Sequence, residues 1–174
     1  MTGPAKRQKH RLFLAIWPDD VVRQRVSRHR AAWWLPPGPL TYQPQDWHVT
    51  LHFLGSVTDE RAAAIVAGLH LPLEPCELVL DQPQLWRGGL AVLSASSVPP
   101  ALTSLHDRLA GALRGLEQAV DARPWRPHLT LARRAAGARP PTASAPIAWP
   151  VRNYAMVVST GGQEQRYRVV HEYA

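Results

Sequence analysis

The chain has 174 residues, with 20 Lys and Arg against 13 Asp and Glu, 45% hydrophobic residues and one cysteine. That is enough to bury a core without disulfides or a structural metal, and it excludes a disordered tail or a fibre. A net charge of +7 and a pI near 10.5 favour a polyanionic partner, nucleic acid being the commonest.

The basic start MTGPAKRQKH is followed by the apolar run LFLAIW, too short for a signal peptide and stopped by Pro18-Asp19-Asp20. No stretch reaches the ~20 apolar residues of a membrane span. Residues 11–17 read as a strand buried on both faces. Asp19 or Asp20 then caps a helix running to about Trp33, with Val22, Val26 and Trp33 on its inner side. Prolines interrupt the chain until Trp47, where alternation begins: Trp47, Val49, Leu51 and Phe53 share one face, His48, Thr50 and His52 the other. Gly55 is expected to end this strand, and Thr58 with Asp59 and Glu60 opens a second helix to about Leu69.

Residues 76–81, 85–87 and 90–95 predict three strands, the last two joined by Gly88-Gly89. Pro99-Pro100 starts a helix with Leu102, Leu105, Leu109, Leu113 and Leu116 recurring three or four apart. His128 to Arg133 alternates again, with His128, Thr130 and Ala132 opposite Leu129 and Leu131. Residues 135–150, rich in Ala and Pro, predict a surface loop. Residues 151–159 and 165–171 predict two closing strands around Gly161-Gly162. The order fits an α+β domain built on antiparallel sheet: one domain over 1–174 in two lobes, with a basic tail over 1–10. The lone Cys76 forms no internal disulfide, and the expected compartment is the cytoplasm.

The chemistry lies in a repeat. His48-Val49-Thr50-Leu51 and His128-Leu129-Thr130-Leu131 stand 80 positions apart, each in a predicted strand and each in its own half of the chain. In a strand, His and Thr two apart share a face. Two such strands meeting across a pseudo-two-fold axis would line a cleft with two imidazoles and two hydroxyls. With an ordinary pKa of roughly 6.5, one histidine can be protonated while the other is neutral, making an acid and base pair. The hydroxyls can donate to phosphate oxygens held between them. In-line displacement at phosphorus needs a base on the entering oxygen and an acid on the departing one, on opposite sides, which this pair supplies without a protein nucleophile. A metal site fits less well: two histidines fall short of the three or four ligands of zinc, no His-Glu-x-x-His or paired cysteines occur, and Asp46 is the only nearby carboxylate. Taken singly, each His-x-Thr strand would be an ordinary half-buried histidine; the duplication gives it weight.

The doubled motif resembles the 2H phosphoesterases, in particular their RNA 2′,3′-cyclic phosphodiesterase and 2′-5′ RNA ligase group. The resemblance rests on Trp47-His48-Val49-Thr50-Leu51-His52-Phe53-Leu54-Gly55, on Arg126-Pro127-His128-Leu129-Thr130-Leu131-Ala132-Arg133, on Arg11 to Ile16 and on the strand around Tyr167. It implies a bilobal α+β fold of pseudo-two-fold duplicated antiparallel sheets, helices outside and a cleft between lobes. It further implies metal-independent opening of a terminal RNA 2′,3′-cyclic phosphate to a 2′-phosphate, reversible as 2′-5′ joining. On that analogy His48 is the proton donor, His128 the proton acceptor, and Thr50 and Thr130 hold the phosphate. The family often carries an arginine where Arg133 stands; strict alternation points Arg133 away from His128, so it reaches a phosphate only if the strand twists or ends there.

Trp125, Tyr42 and Tyr167 are candidates to stack a terminal base, and Trp125, Tyr167 and Arg133 join Thr50 and Thr130 as candidate substrate-binding residues. No Gly-x-Gly-x-x-Gly or P-loop is present, so no cofactor is expected. The expected partner is RNA bearing a 2′,3′-cyclic phosphate end, tRNA fragments among the candidates, met by a monomer with no role at membranes. The alternatives are a phosphodiesterase for small cyclic nucleotides and a non-catalytic module that binds RNA ends. A binder has little need of two opposed imidazoles where arginine binds phosphate better.

Overall fold

The computed structural model describes residues 9–162 and 165–174. Most of the expected basic tail, residues 1–8, lies outside the described residues. The chain runs β1 (Lys9–Ile16), α1 (Asp20–Ala31), β2 (Leu40–Thr41), β3 (Val49–Thr58), α2 (Asp59–Gly68), β4 (Cys76–Leu80), β5 (Gln82–Trp86), β6 (Leu90–Ser94), α3 (Pro100–Gly115), β7 (His128–Arg133), β8 (Ile147–Val151), β9 (Tyr154–Ser159) and β10 (Tyr167–Tyr173). A 3-10 turn over Pro44–Asp46 precedes β3. Among the described residues no helix is long and apolar enough to cross a membrane.

Local chemistry sets the helix starts. Asp19 accepts a hydrogen bond from the Val22 N–H at 2.8 Å, satisfying a donor that the first turn of α1 would leave unpaired. Arg28 and Arg30 close α1 where cations suit the helix dipole. Pro100 at the first helical position fixes φ for α3, which then buries Leu102, Leu105, Leu109 and Leu113 along one stripe.

All strand pairings are antiparallel. The main sheet runs β10-β9-β1-β3-β7-β6-β5, with β2 added to β7, while β4 and β8 form a separate ribbon. The order is nearly symmetric: β3 beside β1 and then β9 in one half answers β7 beside β6 and then β5 in the other. The halves are joined through β3 and β7, whose only registered pair is Val49 with Leu129. Those two residues sit between the His and Thr of the two motifs, so the join itself brings the motifs together. Beyond it the strands part. The β2 strand then takes the freed edge of β7 at Ala132 and Arg133.

Several expectations need correction. The strand through the first motif does not end at Gly55; it continues to Thr58, with Gly55 absorbing a φ of 75° next to a register shift. The expected loop over 135–150 contains most of β8, which pairs Glu77 with Pro150 and Leu78 with Trp149. Its alternation of buried Ile147, Trp149 and Val151 is masked by the Ala and Pro around it. Proline is tolerated there because a two-stranded ribbon is all edge. Gly88 and Gly89 do turn the β5–β6 hairpin, both at positive φ. The second Gly pair precedes residues 163 and 164, which lie outside the described residues.

Candidate active site

The two halves enclose a cleft of about 520 Å³ whose lining includes His48, Thr50, His128, Thr130, Arg133, Tyr167, Tyr42 and Phe53. Each motif holds its histidine in the same way. The Nδ1 of His48 lies 2.7 Å from the Asp46 carbonyl and the Nδ1 of His128 lies 2.7 Å from the Arg126 carbonyl. A carbonyl can only accept, so Nδ1–H donates in both and Nε2 is left as the nitrogen that can give or take a proton. Those carbonyls are themselves 80 residues apart and correspond under the repeat.

A β-bulge follows each motif. Opposite β1, register skips at Leu51; opposite β6, it skips at Leu131. Two residues against one reverse the alternation, so two neighbours in succession are buried, Leu51 with His52 and Leu131 with Ala132. The next residue then swings to the cleft, which places Phe53 and Arg133 in its wall. Strict alternation therefore fails twice. Arg133 lies on the side of His128, and His52 leaves the cleft. His52 instead packs against α3, its Nε2 2.8 Å from the His106 carbonyl and its ring stacked on His106 at 4.2 Å.

Trp125 is also outside the cleft. Its ring stacks on His106 at 4.5 Å, and its indole N–H donates to the Thr50 carbonyl at 2.9 Å. That carbonyl lies just past the point where β3 leaves β7, so Trp125 supplies a partner at a freed strand edge. Base stacking by Trp125 is corrected accordingly. The sequence could not show this, because the face on which an aromatic lies depends on where the two strands part. Tyr167 does reach the cleft, edge-on to His48 at 4.9 Å, and burial with the hydrogen bond to Tyr42 pushes its hydroxyl up to about 12.

Two aromatics that sequence reasoning passed over touch the histidines. Trp17 stacks on His48 with ring centroids 4.9 Å apart and planes 15° from parallel. Trp86 lies 4.5 Å from the His128 ring. Phe13, in contact with both Tyr167 and His48, completes the apolar surround of the first histidine.

This desolvation governs the electrostatics. Burial lowers the His48 pKa to about 4, opposed by the hydrogen bond to Asp46 and reinforced by His128 and Arg133. His128 is lowered too, by burial first and then by the nearby cations Arg126 and Arg133. Asp46 runs the other way, its carboxyl raised by burial despite Arg166, whose Nε is 3.6 Å from Oδ2. Among the described residues no three His, Cys, Asp or Glu side chains gather where a metal could be held.

Paired strands carrying His-x-Thr across one cleft, in an α+β frame of antiparallel sheet, define a 2H phosphoesterase. A family model described as the 2′-5′ RNA ligase superfamily matches residues 18–163, and the chain belongs to that superfamily. It is 29% identical over 134 residues to the RNA 2′,3′-cyclic phosphodiesterase of Escherichia coli K12, a match spanning 75% of this chain and 76% of that one. Among solved structures it is similar to E. coli LigT complexed with 3′-AMP, at 25% identity and a TM-score of 0.81 over 96% of this chain and 98% of the other. A protein of Thermus thermophilus shares the fold at a TM-score of 0.73 and 23% identity, over 94% of this chain and 96% of the other.

Proposed function

We propose that the protein opens the terminal 2′,3′-cyclic phosphate of RNA to a 2′-phosphate by general acid and base catalysis, with no metal in the reaction. The single observation that carries the reading is the matched pair of histidines, each with Nδ1 tied to the carbonyl two residues upstream and each beside a threonine in one cleft. His128 takes a proton from the attacking water, and His48 gives one to the departing 3′ oxygen. Thr50 and Thr130 donate to the non-bridging oxygens, and Arg133 balances their charge.

The depressed pKa values suit this cycle. Neutral His128 is ready to act as base. A bound phosphate anion favours the charged form of a neighbouring imidazole, so substrate loads His48 with the proton it must donate. The same steps with a 5′-hydroxyl in place of water join that hydroxyl to the cyclic end through a 2′-5′ bond. The working form is a cytoplasmic monomer, one domain in two lobes, and its substrates are cleaved RNAs, tRNA fragments among them. The relatives support the substrate class: that of E. coli is an RNA 2′,3′-cyclic phosphodiesterase, and LigT was solved with 3′-AMP.

The test is a short RNA with a 2′,3′-cyclic phosphate end incubated in excess EDTA, with the position of the product phosphate identified. A 2′-phosphate, absent with His48→Ala and with His128→Ala, is the expected result. Opening that requires added metal, or a 3′-phosphate product, would overturn the mechanism.

A further inference from the structure

The aromatic surround of His48 and the flank of His128 differ in kind. Around His48 stand Phe13, Trp17 and Tyr167, an apolar wall. On the flank of His128 stand Trp86, Gln84, Ser94 and Arg126. The guanidinium carbon of Arg126 lies over the Trp86 ring, 4.2 Å from its centre, and the residue itself is exposed. The Trp86 indole N–H donates to Gln84 Oε1 at 2.7 Å, and Ser94 Oγ approaches the same oxygen at 3.4 Å. With its oxygen occupied, the Gln84 amide has its NH₂ group left to donate elsewhere. Ser94 pairs in register with His128, which fixes this group beside the histidine rather than at a distance from it.

A planar guanidinium backed by an indole, next to a fixed amide donor, is a surface on which a nucleobase stacks and is hydrogen-bonded. We propose that Arg126, Trp86 and Gln84 form a subsite for the 5′-terminal nucleoside of an RNA bearing a 5′-hydroxyl, the strand that attacks in place of water. The inference rests on the role given to His128 above: in an in-line displacement the attacking group enters on the side of the base, and this flank lies on that side. The step balances without ATP. The 5′ oxygen forms a bond to phosphorus and passes its proton to His128, the bond from phosphorus to the 3′ oxygen breaks, and His48 protonates that oxygen. The product is a 2′-5′ phosphodiester beside a free 3′-hydroxyl.

The experiment uses an RNA with a 2′,3′-cyclic phosphate end and a graded excess of a second RNA with a 5′-hydroxyl. Initial rates of joining and of hydrolysis are read from the same reactions, for the unmodified protein and for Arg126→Ala, Arg126→Lys and Trp86→Leu. Loss of one base stack should raise the acceptor concentration for half-maximal joining at least about tenfold in Arg126→Ala and Trp86→Leu. Arg126→Lys, which keeps the charge and loses the flat face, should behave like Arg126→Ala. The ratio of joining to hydrolysis should fall in each. Parallel loss of both rates would overturn the subsite and leave these residues as supports of His128. Hydrolysis without joining at any acceptor concentration would overturn the subsite and leave the hydrolytic reading standing, whereas a protein inert towards the cyclic end would remove both.

Discussion

Phe53 and Arg133 are counterparts: each lies five residues after its motif histidine, each follows a β-bulge at the motif leucine, and each is turned by that bulge into the same cleft. One half of a repeated scaffold thus presents an apolar ring, 58% exposed, where the other presents a cation. A symmetric frame gains an asymmetric lining, suited to a substrate with a flat base at one end and a charged phosphate in the middle.

His48→Ala and His128→Ala should each lower kcat/KM on a cyclic-phosphate RNA by at least about 10²-fold, the usual weight of a positioned acid or base. Both proteins should still fold, since each imidazole's protein hydrogen bond is to a local carbonyl. Steady-state rates beside circular dichroism check this, and near-normal rates in either variant would remove the acid and base pair.

Phe53→Ala and Arg133→Ala should separate binding from chemistry. Removal of the exposed ring should mainly raise KM, whereas loss of the guanidinium should lower kcat as well, by about 10²-fold, because charge on the phosphate oxygens grows in the transition state. Arg133→Lys should recover part of the loss. Equal effects of Phe53→Ala and Arg133→Ala on both constants would contradict this division.

The pH dependence follows from the lowered imidazoles. Both histidines titrate below their ordinary 6.5 in the free cleft, so kcat/KM, which reports the free protein, should already be falling as pH rises towards that value, because the acid form of His48 disappears above about 4. A bound phosphate favours the imidazolium, so the corresponding fall in kcat should lie at higher pH. Profiles of the two constants from pH 4 to 9 give the comparison; coincident limbs would show that the phosphate does not reset His48.

Stability should decline in acid. His29, His48, His52 and His128 all have folded pKa values below the unfolded 6.5, chiefly through burial. Below pH 6.5 the unfolded chain therefore binds protons that the folded one refuses, and stability is lost progressively towards pH 4. Thermal melts across this range should show Tm falling, less steeply in His48→Gln. A Tm that holds constant from pH 6.5 to 4 would mean that these histidines are protonated in the fold.

Gly89→Ala should destabilise by roughly 1–3 kcal/mol. Gly89 has a φ of 74°, and a Cβ there would meet the backbone nitrogens of Ala136 at 2.7 Å and Ala135 at 2.9 Å. Gly88→Ala, at a similar φ of 80° but in open space, should cost less. Denaturant unfolding of the two variants checks the order.

Much of the site could be read from residues alone because a repeat is a long-range signal carried by local spelling. His48, Thr50, His128 and Thr130 share faces of their strands through simple alternation, and the structure puts all four in one cleft. What alternation cannot carry is its own interruption. The skips at Leu51 and Leu131 come from pairing with β1 and β6, so His52, Phe53 and Arg133 all point otherwise than the pattern alone predicts. An offset of 80 maps Phe53 onto Arg133, two residues that strict alternation alike turns away from their motif histidines. Trp17 and Trp86 were beyond reach for another reason. They come from the end of β1 and from β5, and no periodicity in the sequence ties either to its histidine.

The lone pairing of Val49 with Leu129 makes the join between the halves a pivot. His48 and His128 each sit one residue from it, whereas Phe53 and Arg133 lie four residues out, roughly 13 Å along strands rising about 3.3 Å per residue. A small rotation of one half against the other therefore displaces the rim by about four times as much as it displaces the histidines. The width of the cleft mouth can therefore change while the spacing of the two histidines changes least of all.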